Sequence, residues 1–192
     1  MYHVQDCNPY DHFSVYLRIT VEPEASIAAS CARIEKVADR LVKRGVPASR
    51  IAIGGFSMGG GIALQAALRS KRRFAGVFAL SSYLCENAAV YGRLAAAQDR
   101  LTVAASDDED AALLSLPIFM RHGAADKFIL PAWGGATAAQ LATLGLSVNA
   151  DVVPGLAHDL ADKEVVELTA WLIRILTDDV IAQRGDVLAY YD

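Results

Sequence analysis

Ser57 is the residue of this 192-residue chain whose surroundings point most directly to chemistry. It stands in the middle of Gly55-Phe56-Ser57-Met58-Gly59, which fits the pattern G-x-S-x-G. The apolar run Ile51-Ala52-Ile53 before it predicts a buried strand, and residues 62–68 after it predict a helix. A serine on a sharp turn between strand and helix is typical of a nucleophile elbow, where the helix N-terminus faces the developing oxyanion. The alternative is a glycine-rich turn whose serine only caps the helix.

An activated serine needs a base, and the base needs an acid that orients it. Asp126 and His158 each follow a predicted strand, so we expect both on loops at the carboxyl edge of the sheet. The order Ser57, Asp126, His158 is also the order found in enzymes with a nucleophile elbow. In this interpretation His158 takes the Ser57 proton, and Asp126 holds the imidazole in the required tautomer.

Three other side chains could in principle fill these roles. His122 ends a predicted strand, and we expect it to make a buried structural hydrogen bond. Asp159 adjoins His158 in the chain, so it cannot easily reach the ring nitrogen that faces away from the serine. Asp151 lies within a strand. These positions favour Asp126 and His158.

The elements that would position these residues alternate along the chain. Helical periodicity follows Pro23 and ends near residue 44, with an apolar stripe expected to pack on the sheet face behind Ser57. The further predicted strands are 75–80, 117–121 and 147–153, and the further predicted helices are 88–97, 132–144 and 163–176. The last helix should turn five apolar residues inward: Val165, Leu168, Trp171, Leu172 and Ile175. Alternation of this kind predicts an α/β fold, a mostly parallel sheet with helices on both faces, in one domain over 1–192.

Two charged segments could each have either a structural role or a ligand-binding role. The basic residues 69–73 could bind phosphate or could stabilise the C-terminus of the preceding helix. Because the chain carries a net charge of −4, we favour the second interpretation. Residues 99–114 predict an exposed loop, whose acids at 107–110 lack the spacing of a calcium loop. We therefore expect neither segment to bind a ligand.

The N-terminal segment, residues 1–23, is the least regular. Apolar residues alternate with polar ones from Phe13 to Ile19, which fits a half-buried strand as well as it fits a loop. His3 and His12 lie here, and we expect both to be solvated, because nothing nearby completes a set of metal ligands.

Composition limits the class of protein further. The chain is 54% hydrophobic with a mean hydropathy of +0.27, yet it has no 18-residue apolar run that would span a membrane. The net negative charge argues against nucleic acid as a partner. Three widely spaced cysteines, Cys7, Cys31 and Cys85, suit reduced thiols in the cytoplasm, and the N-terminus has no signal-peptide pattern.

Several separate motifs carry a family resemblance. GGFSMGG around Ser57, the segment 74–82, His122-Gly-x-x-Asp126 and Gly155-x-x-His158 resemble the acyl-protein thioesterase and lysophospholipase-like family of α/β-hydrolases. The resemblance runs from about residue 26 to about residue 176. It implies an α/β-hydrolase fold and a cofactor-free, metal-free serine esterase or thioesterase acting through an acyl-enzyme. Implied substrates are acyl-protein thioesters, lysophospholipids or short carboxylic esters.

The resemblance also implies parts of the substrate site. The Met58 N–H would be one oxyanion donor, and Phe56 would line the substrate site. Tyr83 and Leu84 follow the strand 75–80 at its carboxyl end, where parallel sheets bind ligands, so they are candidates for an acyl-pocket wall. Cys85 beside them is expected to be a small pocket or core residue.

One departure from the family pattern concerns the N-terminal side. Nothing before Ser57 resembles the His-Gly-x-Gly-Asp loop that supplies a second oxyanion donor, so we expect a truncated sheet and impaired catalysis. The strand 51–53 would then lie near a sheet edge, where it could pair with a second copy in a homodimer. The alternative function is a truncated hydrolase fold that serves as an interaction module.

Overall fold

A computed structural model describes residues 23–102 and 108–188 of the chain. Pro23 precedes the first helix, and Ser57 joins the first strand to the second helix without a loop. A single 3-10 turn, Ala48–Arg50, leads into the first strand. The elements in chain order are α1 Glu24–Lys43, β1 Ala52–Phe56, α2 Met58–Arg69, β2 Gly76–Leu80, α3 Ala89–Thr102, α4 Asp108–Leu114, β3 Ile118–Gly123, α5 Pro131–Thr143, β4 Val148–Val153 and α6 Asp162–Leu188.

The four strands form one sheet in the order β1-β2-β3-β4, and every neighbouring pair is parallel. The register brings Phe56 beside Leu80, Leu80 beside Arg121, and Gly123 beside Val153. The carboxyl ends of all four strands therefore meet at one edge of the sheet. This parallel sheet with intervening helices confirms the predicted α/β class.

Helices cover both faces of the sheet. The main core lies on the face that α2, α3 and α5 cover, and its fully buried side chains include Leu64, Val77, Leu94, Ile118 and Leu141. The opposite face carries a smaller cluster, in which Leu80 and Phe119 of the sheet pack against Trp171 of α6. Burial of such side chains contributes about 1.5–3 kcal/mol each, so the two clusters hold the strand ends in place.

Helix α1 packs differently from the prediction. Its residues Ile27 and Cys31 contact Ala66 of α2, so its N-terminal half covers a helix and not the sheet itself. Arg69 of the basic run pairs with Glu24, which ties the two helices together. Arg72 likewise pairs with Glu35 at 2.8 Å and with Asp39. These partners belong to the protein itself, which favours the structural interpretation of residues 69–73.

Two predictions about the second half of the chain are wrong. Residues 99–114 are not an exposed loop in the part that the structure describes, because α3 continues to Thr102 and α4 begins at Asp108. Asp110 of α4 is only 5% exposed, and its carboxylate accepts two hydrogen bonds from Arg100, which compensate for its burial. Val165 does not face inward, because its side chain is 49% exposed on the outer side of α6. The same helix is also longer than predicted and ends at Leu188.

Within the described ranges, β1 is the first strand in the order of the sheet. Among the described residues, β1 pairs only with β2. The segment from Phe13 to Ile19, as well as His3 and His12, lies outside the described residues. Within the described ranges, no helix is long and apolar enough to cross a membrane.

Candidate active site

Ser57 lies in a tight turn at the carboxyl end of β1. Its backbone has φ of 55° and ψ of −129°, and its N–H donates to the Leu80 carbonyl at 2.8 Å. A positive φ at a residue other than glycine costs about 1–3 kcal/mol, which the surrounding structure must offset. Two glycines allow the tight approach: a Cβ on Gly55 would lie 2.5 Å from the Gly59 carbonyl carbon, and one on Gly60 would lie 2.8 Å from the Ser82 Cβ.

His158 lies on the loop after β4, and its imidazole connects the serine with a carboxylate. Its Nε2 lies 3.0 Å from the Ser57 Oγ, and its Nδ1 lies 2.7 Å from the Asp126 Oδ2. The carboxylate can only accept, so Nδ1 carries the proton and Nε2 is left as the acceptor for the serine hydroxyl. The geometry is that of a serine hydrogen-bonded to an oriented base.

Asp126 is held by the turn that follows β3. Its side chain is fully buried, and its Oδ1 accepts hydrogen bonds from the backbone N–H groups of Phe128 at 2.8 Å and Ile129 at 2.9 Å. The Oδ2 is thereby left to face His158. Because both oxygens have donors, the carboxylate is fixed in position despite its burial.

None of the rival residues replaces His158 or Asp126 in the hydrogen-bond chain from Ser57. His122 is buried, and its Nε2 lies 2.8 Å from the Ile129 carbonyl and 3.3 Å from Asp126, which confirms the predicted structural hydrogen bond. The exposed Asp159 accepts from the Leu160 N–H, and Asp151 accepts from the Val152 N–H on the outer strand.

The backbone beside Ser57 offers an anion-binding position. Met58 is the first residue of α2, and the first N–H groups of a helix have no acceptor within that helix. The positive end of the helix dipole adds to this field. The Met58 side chain is 76% exposed and points away from the core.

The three predicted substrate-site residues lie in different environments. Phe56 packs with the cluster of Leu80 and Phe119, and its ring centroid lies 4.7 Å from that of His158. The ring of Tyr83 contacts that of Trp133 of α5, with 5.2 Å between the ring centroids and the planes tilted by 54°. Leu84 is only 2% exposed and belongs to the main core, and its place in a pocket wall stays a prediction.

Two aromatic residues near this edge were not predicted from the sequence. Trp133 contacts Tyr83 from the first turn of α5, and Phe128 lies 5.7 Å from the His158 ring. Neither belongs to a motif or to an apolar periodicity, so no sequence signal marked them. Within the described ranges, no three His, Cys, Asp or Glu side chains are grouped so that they could hold a metal ion.

Comparison with known proteins gives the family context. A family model described as phospholipase/carboxylesterase matches residues 10–175. Lysophospholipase-like protein 1 of Mus musculus is 33% identical over 174 residues, which are 91% of this chain and 66% of that protein. Acyl-protein thioesterase 1 of Neurospora crassa is 33% identical over 144 residues, 75% of this chain and 54% of that protein. The chain thus spans slightly under two thirds of the mouse relative and about half of the fungal one.

The crystal structure of Arabidopsis thaliana SOBER1 shares the fold, with a TM-score of 0.66 at 22% identity. The match covers 81% of this chain and 67% of that one. Together with the parallel sheet, this likeness confirms the predicted α/β-hydrolase fold.

Proposed function

The chain belongs to the phospholipase/carboxylesterase family, and from this premise we propose that it is a serine hydrolase that cleaves acyl esters or thioesters. The substrate classes follow the family description and the name of its thioesterase relative. The observation that carries the proposal is the unbroken chain of hydrogen bonds from Ser57 through His158 to Asp126. Serine hydroxyls are weak nucleophiles unless a base of this kind activates them.

The reaction has two halves. His158 Nε2 accepts the Ser57 proton while Oγ attacks the acyl carbon, and the protonated imidazole then gives that proton to the leaving alcohol or thiol. In the second half His158 takes a proton from the water whose oxygen attacks the acyl carbon. The imidazolium then returns a proton to the Ser57 Oγ as the bond between Oγ and the acyl carbon breaks and the acid is released. Asp126 stabilises the imidazolium in both halves without itself being protonated.

The oxyanion in each half lies next to the N-terminus of α2. The Met58 N–H is one donor, aided by the helix dipole. Loss of one of two oxyanion donors costs about 10²–10³ in rate. Among the described residues before Ser57, which are 23–56, none forms a His-Gly-x-Gly-Asp loop that would supply a second donor.

The experiment is hydrolysis of a short acyl ester and of an acyl thioester by the purified chain. Ser57→Ala should abolish both while changing the free energy of unfolding by no more than about 1 kcal/mol. Asp126→Asn and His158→Ala should each cause a large loss, and the double variant should be little worse than either, because the residues act as one unit. Unchanged turnover in Ser57→Ala, or losses that multiply, would refute the mechanism.

We also propose that β1 mediates pairing with a second copy of the chain. In a parallel ladder, alternate residues of a strand bond to one neighbour, so the residues of β1 that do not bond to β2 direct their backbone groups to the side away from β2, where the described residues place no strand. Gly54 at the centre of β1 is exposed. Sedimentation equilibrium should give a concentration-dependent dimer, and a monomer at every concentration would contradict this pairing.

A further inference from the structure

Phe128 is a large apolar side chain that lies 53% exposed beside the candidate base. It belongs to the short loop between β3 and α5, and its ring centroid lies 5.7 Å from that of His158 with the planes tilted by 38°. The Phe56 ring contacts the same imidazole at 4.7 Å, from within the apolar cluster that α6 covers. The imidazole therefore has one aromatic neighbour in the core cluster and one at the surface.

The backbone of Phe128 is bonded to the acid that holds this imidazole. Its N–H donates to the Asp126 Oδ1 at 2.8 Å, while the Asp126 Oδ2 lies 2.7 Å from the His158 Nδ1. One turn of the chain thus places both the carboxylate and the ring against His158. The side chain of His158 remains only 19% exposed, although its loop lies at the surface.

We propose that Phe128 is a positioning residue, whose ring keeps the imidazole of His158 in the rotamer that faces Ser57. This inference rests on the proposed function, because it assigns a role toward the base of that reaction. A bond between Nε2 and Oγ forms only over a narrow range of ring orientations. The contact with Phe56 restrains the ring on its core side, and Phe128 restrains it on the side of the solvent. Aromatic rings prefer tilted or offset contacts of this kind over perfect stacking.

The predicted effect is on the chemical step. Phe128→Ala frees the imidazole to turn away from Ser57, and we expect kcat for a small acetyl ester to fall about tenfold with KM unchanged. A fall of that size corresponds to about 1.4 kcal/mol of activation free energy. Phe128→Tyr keeps the ring and should restore most of the activity. The matched control is Leu160→Ala, which removes a 48% exposed apolar side chain two residues after His158 and should leave kcat unchanged.

A nuclear magnetic resonance readout separates this inference from the proposed function. The ring current of Phe128 shifts the ring protons of His158, so their resonances should move in Phe128→Ala and stay in place in Leu160→Ala. If the wild type hydrolyses the ester and Phe128→Ala keeps its kcat, or raises KM alone, the positioning role is wrong. If the wild type itself is inactive, the proposed function fails, and unmoved His158 resonances in Phe128→Ala would still overturn the inferred contact.

Discussion

Gly59 and Gly60 follow Ser57 in the first turn of α2, and the structure gives them opposite tolerance for a side chain. A Cβ on Gly60 would lie 2.8 Å from the Ser82 Cβ and 2.9 Å from the Gly55 carbonyl oxygen. A Cβ on Gly59 would have no neighbour within 4 Å beyond its own helix. Gly59 is the second glycine of the motif G-x-S-x-G, yet Gly60, the residue after it, is the one with no room for a side chain.

The magnitudes follow from these contacts. Gly60→Ala forces backbone and side-chain shifts in a packed site, which cost about 1–3 kcal/mol. Gly59→Ala adds no contact and gains up to about 1 kcal/mol of helix propensity over glycine. Because Gly60 lies in the same helical turn, its alanine gains the same propensity, so the two variants should differ by the packing cost of about 1–3 kcal/mol in the free energy of unfolding, with Gly60→Ala the less stable.

Urea titration of both variants beside the wild type measures this difference directly. At an unchanged m-value, the midpoint should fall in Gly60→Ala and stay or rise slightly in Gly59→Ala. Equal destabilisation of the two variants, or a Gly60→Ala protein as stable as the wild type, would refute the packing argument.

Two further predictions concern ionisable groups. The hydrogen bonds from Arg100 hold the pKa of Asp110 below its ordinary value of 3.8, so their stabilising effect is present above that pH and is lost as the pH falls through the lowered pKa. Arg100→Met should lower the melting temperature at neutral pH, and the gap to the wild type should close in acid; a gap independent of pH would contradict this. Burial raises the pKa of the Cys31 thiol, so Cys31 should resist alkylation in the native chain and react only on unfolding, as peptide mapping after iodoacetamide treatment would show.

The sequence predicted those parts of the fold in which the hydrophobic pattern and the turn residues indicate the same element. Ser57 stands between an apolar strand and a small-residue helix, and the loops of Asp126 and His158 each follow a strand. Because parallel strands all end at one edge, the position of each residue just after a predicted strand indicated that the three lie near one another. The catalytic roles themselves stay a prediction until turnover is measured.

The remaining features depend on contacts between distant segments. The acids near residue 110 suggested a solvated loop, since the sequence does not show that Arg100 lies opposite Asp110. Val165 fits the apolar stripe of α6 by its spacing, but the neighbouring Glu164 is the fully buried residue in that turn, and Val165 faces outward. Phe128 belongs to no apolar repeat in the sequence, and its contact with His158 arises only from the folded structure. Such pairings arise from tertiary packing, which local patterns do not encode.

Labelling with a fluorophosphonate, followed by mass spectrometry of the modified peptide, tests the central claim most directly, because only an activated serine reacts with this probe. The wild type should carry one adduct, on Ser57, and Ser57→Ala should carry none. His158→Ala should label about 10²–10⁴ times more slowly, since it lacks the base. A folded wild-type chain that takes up no probe, or one that carries the adduct on another residue, would contradict the account.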